Sequence, residues 1–323
     1  MFARIMIAIG ALAALVHSGQ ALAKNDDFPN KPIRIVVPFA AGGGVDTLAR
    51  LLAERLKEKL NSPVIVDNRT GASGVIGGTH VQQSPPDGYT LLFSTGTHAM
   101  AKFVMKHTPY DPLRDFTPIA RVAEAPLLAV LAPNLPQKTL EEVARAAASD
   151  PKAWAAATPS LGSPGHMATI QFNRLTNSNI LIAPYRGTAP AITNVSGGHV
   201  QLLIDSIVAL LPMAEGGKLK ALATTGPTRT KLAPHIPTAT ETGIPITVMT
   251  WYGVWGPQGV PADIVKKLNA AFADATLELA NAGRLAALGI DPVQETPEQF
   301  QLFAEAEVAR NAELLRSVDF KIE

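Results

Sequence analysis

Short apolar runs and amphipathic stretches alternate along most of the chain. Ile33 to Val37 is apolar apart from Arg34 and gives way to Pro38-Phe39-Ala40-Ala41-Gly42-Gly43-Gly44, after which Asp46 to Leu60 carries apolar residues at helical spacing. The pattern predicts strand, Gly-rich turn, helix. Apolar segments at Val64 to Val66 and Tyr89 to Phe93 predict two more strands, separated by the glycine-rich stretch Gly71 to Gly78 and the turn Pro85-Pro86-Asp87-Gly88. Such alternation predicts a parallel sheet covered by helices on both faces.

The alternation restarts further on. Leu127 to Leu131, Trp154 to Ala157, Ile180 to Ala183, Val200 to Ile204 and Leu219 to Thr224 read as strands; Leu140 to Ala148, Gly165 to Leu175, the segment near Ala189 and the residues after Asp205 read as helices. Strand-like Val248 to Trp255 leads past Pro257 and Pro261 into amphipathic helices at Ala262 to Leu279 and Pro297 to Leu315. Those last helices need a sheet to cover. The arrangement that supplies one has the chain cross to a second domain near Pro126 and return near Thr250. Residues 24–125 and 250–323 then form a discontinuous first domain and residues 126–249 the second.

The amino-terminal end reads differently. Arg4, the apolar stretch Ile5 to Val16 and the small-x-small site Ala21-Leu22-Ala23 have the layout of a signal peptide over residues 1–23, cleaved near Ala23. Its apolar run of about 12 residues is shorter than the roughly 20 a membrane span needs. Export to the periplasm is expected. With no cysteine, the chain has no disulfide, no thiol nucleophile and no Cys for a lipid anchor. The 28 basic and 27 acidic residues nearly cancel, and no dense basic run interleaved with aromatics appears, which argues against nucleic acid as a partner.

Candidate chemistry lies at the strand ends. The Gly42-Gly43-Gly44 turn lets backbone approach a ligand and aims helix N–H groups at an anion, although a purely structural tight turn fits equally. It is not a dinucleotide fingerprint, since Thr47 stands where the third glycine belongs, and no Walker lysine follows. Asp46 is expected to cap the helix. In Thr158-Pro159-Ser160-Leu161-Gly162-Ser163-Pro164-Gly165-His166, the Ser160 and Ser163 hydroxyls can donate to a carboxylate, or Ser163 can cap the next helix; His166 reads as packing or capping more readily than as a base. Ser94-Thr95-Gly96-Thr97 and Tyr185-Arg186-Gly187-Thr188 offer hydroxyls beside glycines. Arg186 either pairs with a carboxylate or is solvated. Asp205 either accepts from a ligand amine or orients its neighbours.

Catalytic patterns fail one by one. There is no G-x-S-x-G elbow and no general base next to Ser160 or Ser163. The histidines at 80, 98, 107, 166, 199 and 235 show no metal spacing, and Glu141-Glu142 sits on a predicted solvated helix face. No cofactor, metal or catalytic residue is assigned.

Taken in order, IRIVVPFAAGGGVDTLAR, VIVDNRTGASGVIGG, SPPDGYTLL, PYDPLRDFTPIA, GSPGHMA, APYRGTAPA, LKALATTG and WYGVWGPQGVPADIVKKLN resemble the solute receptors of tripartite tricarboxylate transporters, the Bug-type binding proteins. The resemblance runs from about Pro29 to Glu323. It implies a type II periplasmic binding fold: two α/β domains, each a mixed, mostly parallel sheet flanked by helices, joined by a hinge around a cleft. It also implies a small carboxylate ligand and integral membrane permease subunits as partners; a receptor that must hinge gains nothing obvious from assembly, so a monomer is expected. Carried over by position, the first-domain contacts are Phe39, Ala40, Ala41, Gly42, Gly43, Gly44, Thr95, Gly96 and Thr97. The second-domain contacts are Ser160, Gly162, Ser163, His166, Tyr185, Gly187, Thr188 and Asp205. Ala40-Ala41 and Gly44-Val45 supply no hydroxyl where many relatives carry one, and Arg186 stands where Lys is common. A sensory binding protein and a periplasmic enzyme acting on a small carboxylate are the rival functions.

Overall fold

The computed structural model describes residues 28–322; the expected signal peptide lies outside them. Strand β1 (Ile33–Val37) runs through the glycine turn into α1 (Gly44–Leu60). Helix α1 buries Leu48, Ala49, Leu52, Leu56 and Leu60 along one stripe, places Asp46 in its first turn and Lys57 and Lys59 in its last, and stops where Asn61 turns left-handed at φ 46°. The charges complement the helix dipole, and Asn tolerates the αL conformation that ends the hydrogen-bond ladder.

The chain continues through β2 (Val64–Asn68), α2 (Val75–Gln82), β3 (Thr90–Ser94), α3 (Gly96–Val104) and the long β4 (Phe116–Leu131). There follow α4 (Leu140–Ser149), β5 (Ala155–Thr158), α5 (Pro164–Thr176), β6 (Leu181–Pro184), α6 (Thr188–Ser196), β7 (Leu202–Ser206), α7 (Ile207–Glu215) and β8 (Lys220–Thr224). The last elements are β9 (Met249–Pro257), α8 (Ala262–Asn281), the short β10 (Asp291–Pro292) and α9 (Pro297–Ser317). Among the described residues, no helix is long and apolar enough to cross a membrane.

The sheet runs in the order β2-β1-β3-β9-β4-β7-β5-β6, with β8 and β10 also paired to β4. Pairing is parallel between β1 and its neighbours β2 and β3, and between β5 and its neighbours β6 and β7. It is antiparallel wherever β4 or β9 takes part. These two strands join the halves. The first part of β4 pairs with β9 from Phe116–Pro257 to Pro126–Met249, and its last five residues pair with β7, from Leu127–Ser206 to Leu131–Leu202.

Thr225 ties the two crossings together. Its Oγ1 accepts from Leu127 N–H at 3.0 Å and donates to the Val248 carbonyl at 2.5 Å, while its backbone bonds the same two residues. One face of the β1–β3–β9 half is covered by α1 and α8, whose Leu52, Leu56, Leu268 and Phe272 share a core with Ile35 and Val37. On the other face Trp251, Trp255, Phe300 and Val308 pack with α2 and α3 residues. The second half buries Val143, Phe172 and Ile204 between α4, α5 and the sheet.

Three elements depart from the sequence expectation. Helices α2 and α3 replace what reads as a glycine-rich stretch and a bare strand end, and β4 begins eleven residues before Leu127, at Phe116. Asp46 also departs from it: Gly43 is the helix N-cap, and Asp46 is the third helical residue, accepting from Gly42 N–H at 3.0 Å.

Candidate functional site

The carboxyl ends of β1, β3, β5, β6 and β7 each feed a helix, and the five helix starts converge. Their N-cap residues, Gly43 for α1, Thr95 for α3, Ser163 for α5, Gly187 for α6 and Ser206 for α7, all line one cavity with about 450 Å³ of empty space, its opening included. A helix amino terminus presents unpaired N–H groups and about half a unit of positive charge. Five of them aimed at one space make it attractive to an anion.

The caps are of two kinds. Thr95 Oγ1 accepts from Thr97 N–H at 3.3 Å, and Ser163 Oγ accepts from His166 N–H at 3.0 Å, so α3 and α5 are served by their own side chains. Gly43 and Gly187 make no side-chain cap, which leaves the first N–H groups of α1 and α6 for a ligand. Geometry also favours glycine at Gly44, the first residue of α1, and at the N-cap Gly187. A Cβ on Gly44 would stand 2.7 Å from Ser206 Oγ, and Gly187 has φ +123° with Ala40 N only 3.0 Å from where its Cβ would lie.

Phe39, Val45, Pro159, Pro164 and Tyr252 supply apolar wall. The residues lining the cavity include two acids, Asp46 and Asp205, and no Lys, Arg or His. Burial acts to raise the Asp46 pKa, but the guanidinium of Arg50, the Gly42 N–H and the Asn68 amide together hold it below the usual carboxylate range. Asp46 is thus a paired anion: Arg50 reaches both of its oxygens at 3.0 Å. Asp205 is different. Burial pushes its pKa up to about 6, against the opposing pull of the Thr188 hydroxyl and the Ser206 N–H, and its Oδ2 is buried without a hydrogen-bond partner. Ser160 Oγ is likewise buried and unpartnered.

The two halves of the sheet meet across this space. Ala40 N–H donates to the Arg186 carbonyl at 3.3 Å, and Leu161 N–H donates to Ser73 Oγ at 3.1 Å. A Cβ on Gly43 would lie 3.3 Å from Thr188 Oγ1.

Of the residues expected from sequence, the structure brings Phe39, Ala40, Gly43, Gly44, Thr95 and Thr97 to the cavity from the first half. From the second half it brings Ser160, Ser163, Gly187, Thr188 and Asp205. Six others are not in its lining. Ala41 and Gly42 are exposed on the outer side of the turn, and Tyr185 is half-buried beside the loop. Gly96 and Gly162 line a neighbouring small cavity with Trp251 and Glu307. His166 is turned inward: its Nδ1 accepts from Gly162 N–H at 3.1 Å, its ring packs on Phe320, and burial pushes its pKa down to about 4. Arg186 is exposed and offers the site its carbonyl.

The expected set lacks seven lining residues, Val45, Asp46, Pro159, Pro164, Ser206, Thr250 and Tyr252. Ser206 follows Asp205 at the same strand end and was open to the argument that found its neighbour. Tyr252 lies inside an apolar strand where nothing marks it; burial raises its hydroxyl pKa, and that hydroxyl is 3.1 Å from Ser206 Oγ.

Residues 48–320 match the model of the tripartite tricarboxylate transporter family receptor. The chain is 35% identical to protein BugT of Bordetella pertussis over 98% of this chain and 96% of that protein. Among solved structures, Rpa4515 of R. palustris with adipate superposes with a TM-score of 0.86 at 35% identity, covering 90% of this chain and 98% of that one. MatC of Rhodopseudomonas palustris with bound malate gives 0.84 at 34%, covering 89% and 100%. The chain belongs to the receptor family of the tripartite tricarboxylate transporters.

Proposed function

We propose that the protein binds a small carboxylate in the cavity between the two halves of the sheet and presents it to integral membrane permease subunits. The observation that carries the reading is the convergence of five helix amino termini on a cavity with no cationic side chain in its lining. An oxyanion there is met by N–H and O–H donors already in place, and such charge-assisted bonds replace its lost hydration. The solved relatives with adipate and malate support the same chemical class.

Residues 24–125 with 250–323 and residues 126–249 act in this reading as two domains that rotate about the β4 and β9 crossings, with Thr225 as the shared pivot. A ligand bonded by both domains favours the closed arrangement, which is the state a permease distinguishes. The chain works as a monomer in the periplasm after cleavage near Ala23. It does not turn the ligand over. Ser163 is engaged in capping and His166 Nδ1 accepts from Gly162 N–H, so this serine has no histidine base poised to activate it.

Native mass spectrometry of the protein from its own host tests the reading. A small organic acid, recovered unchanged after incubation and denaturation, is expected, together with loss of its uptake when the gene is removed. A product distinct from the added acid points to the enzyme instead, and intact uptake with a lost transcriptional response points to the sensor.

A further inference from the structure

Buried carboxylates in proteins are normally bonded through both oxygens, because an unpartnered charged acceptor is costly inside a protein. Asp205 lines the ligand cavity yet keeps one oxygen, Oδ2, free of any partner. A second unpartnered buried group, Ser160 Oγ, lies in the same lining. The hydroxyl can donate to a ligand carboxylate, whereas ionised Asp205 only accepts. The cavity therefore presents two unmet hydrogen-bond requirements of opposite sense.

We propose that Asp205 selects, among small carboxylates, those that also carry a hydrogen-bond donor, a hydroxyl or an ammonium group, which bonds its free Oδ2. The inference rests on the carboxylate-binding reading and refines it. A plain second carboxylate placed there would meet a like charge.

The surroundings of Asp205 bear this out element by element. The Thr188 hydroxyl of α6 and the Ser206 N–H at the start of α7 pull the Asp205 pKa down against burial, and the Asp205 charge helps to raise the pKa of the Tyr252 hydroxyl on β9. From α5, Gly165 packs on the Asp205 backbone and the adjacent His166 stays neutral. From α1, Asp46 is already paired with Arg50. No cation reaches Asp205 from any of these elements among the described residues, so a donor on the ligand is what completes it.

The test is calorimetric titration of the purified mature protein with matched sets of acids: propionate, lactate and alanine; succinate, malate and aspartate; glutarate, 2-hydroxyglutarate and glutamate; and benzoate with its 2-hydroxy and 2-amino derivatives. In the set that binds best, a substituted member is expected to bind at least about tenfold more tightly than its parent, and whether the hydroxyl or the ammonium form leads identifies the donor. That affinity is expected to weaken about tenfold from about pH 7.5 to about pH 5 as Asp205 takes up a proton. Asp205→Asn should erase the preference without lowering the melting temperature. Parents that bind as tightly as their substituted partners, with affinity rising as the pH falls, would overturn the role of Asp205 while leaving carboxylate binding intact. Binding of no acid in any set overturns both.

Discussion

The Ala40 N–H and the Arg186 carbonyl share a 3.3 Å hydrogen bond that crosses from one half of the sheet to the other. A second such bond, Leu161 N–H to Ser73 Oγ at 3.1 Å, lies farther along the same seam. Both bonds tie the two halves of the sheet, and in the proposed reading they favour the closed arrangement.

Ser73→Ala removes the second bond without touching the cavity. A hydrogen bond of this kind contributes about 1 kcal/mol, so the closed state loses roughly fivefold in population and ligand affinity falls by about the same factor. Titration calorimetry should show this with an unchanged melting temperature for the unliganded protein.

Gly43→Val separates binding from stability in another way. Gly43 has φ −82°, which any residue adopts, so the backbone is not strained. The new side chain, however, starts 3.3 Å from Thr188 Oγ1 and fills the approach to the α1 amino terminus. Affinity should fall more than about tenfold while stability changes by less than about 1 kcal/mol. A well-folded variant with parental affinity would remove the glycine turn from the site.

His98 sets an acid limit on the fold. It is enclosed by Tyr110, Phe116 and Trp255, with ring centroids 5.6, 4.4 and 4.8 Å away, and burial pushes its pKa down to about 3. Below the ordinary value of about 6.5 the unfolded chain binds a proton that the folded chain refuses, so stability drops about 1.4 kcal/mol per pH unit as the pH falls. Replacing His98 by Leu should make the stability profile shallower by about that slope between roughly pH 6 and pH 4. Denaturant melts across that range measure it.

Asp205 has the opposite sign. Its raised pKa means that the folded protein prefers the protonated form, so stability is lost as the pH rises from about 4 towards 6 and stays lost above. Asp205→Asn should therefore raise the melting temperature of the unliganded protein at neutral pH, by about 2 to 3 kcal/mol in stability, while it weakens ligand binding.

Much of this was legible in the sequence. The strand–glycine–helix pattern at Ile33 to Leu60 located β1, α1 and one wall of the cavity, and the hydroxyl-rich loop before Pro164 located the facing wall. What hid α2 is the packing itself. A Cβ on Gly77 would lie 2.8 Å from Pro38 Cβ, and one on Gly78 would lie 2.2 Å from the Tyr110 hydroxyl, so the helix carries glycines that erase its apolar pattern. The start of β4 was masked by Pro118 and by irregularities between Pro118 and Ala120 and between Arg121 and Ala123, which break the two-residue period. His166 reads from residue type and position as packing or capping, and its ring does pack on Phe320 while its Nδ1 accepts from Gly162 N–H; only the resemblance had made it a ligand contact.

The helix termini make the central claim measurable. The acid that binds best and its neutral amide have nearly the same shape, and they differ in the charge that the five amino termini are arranged to receive. Titration calorimetry of the two should show the carboxylate binding at least about a hundredfold more tightly, a difference of roughly 2.7 kcal/mol. Equal affinity for the amide would contradict the account.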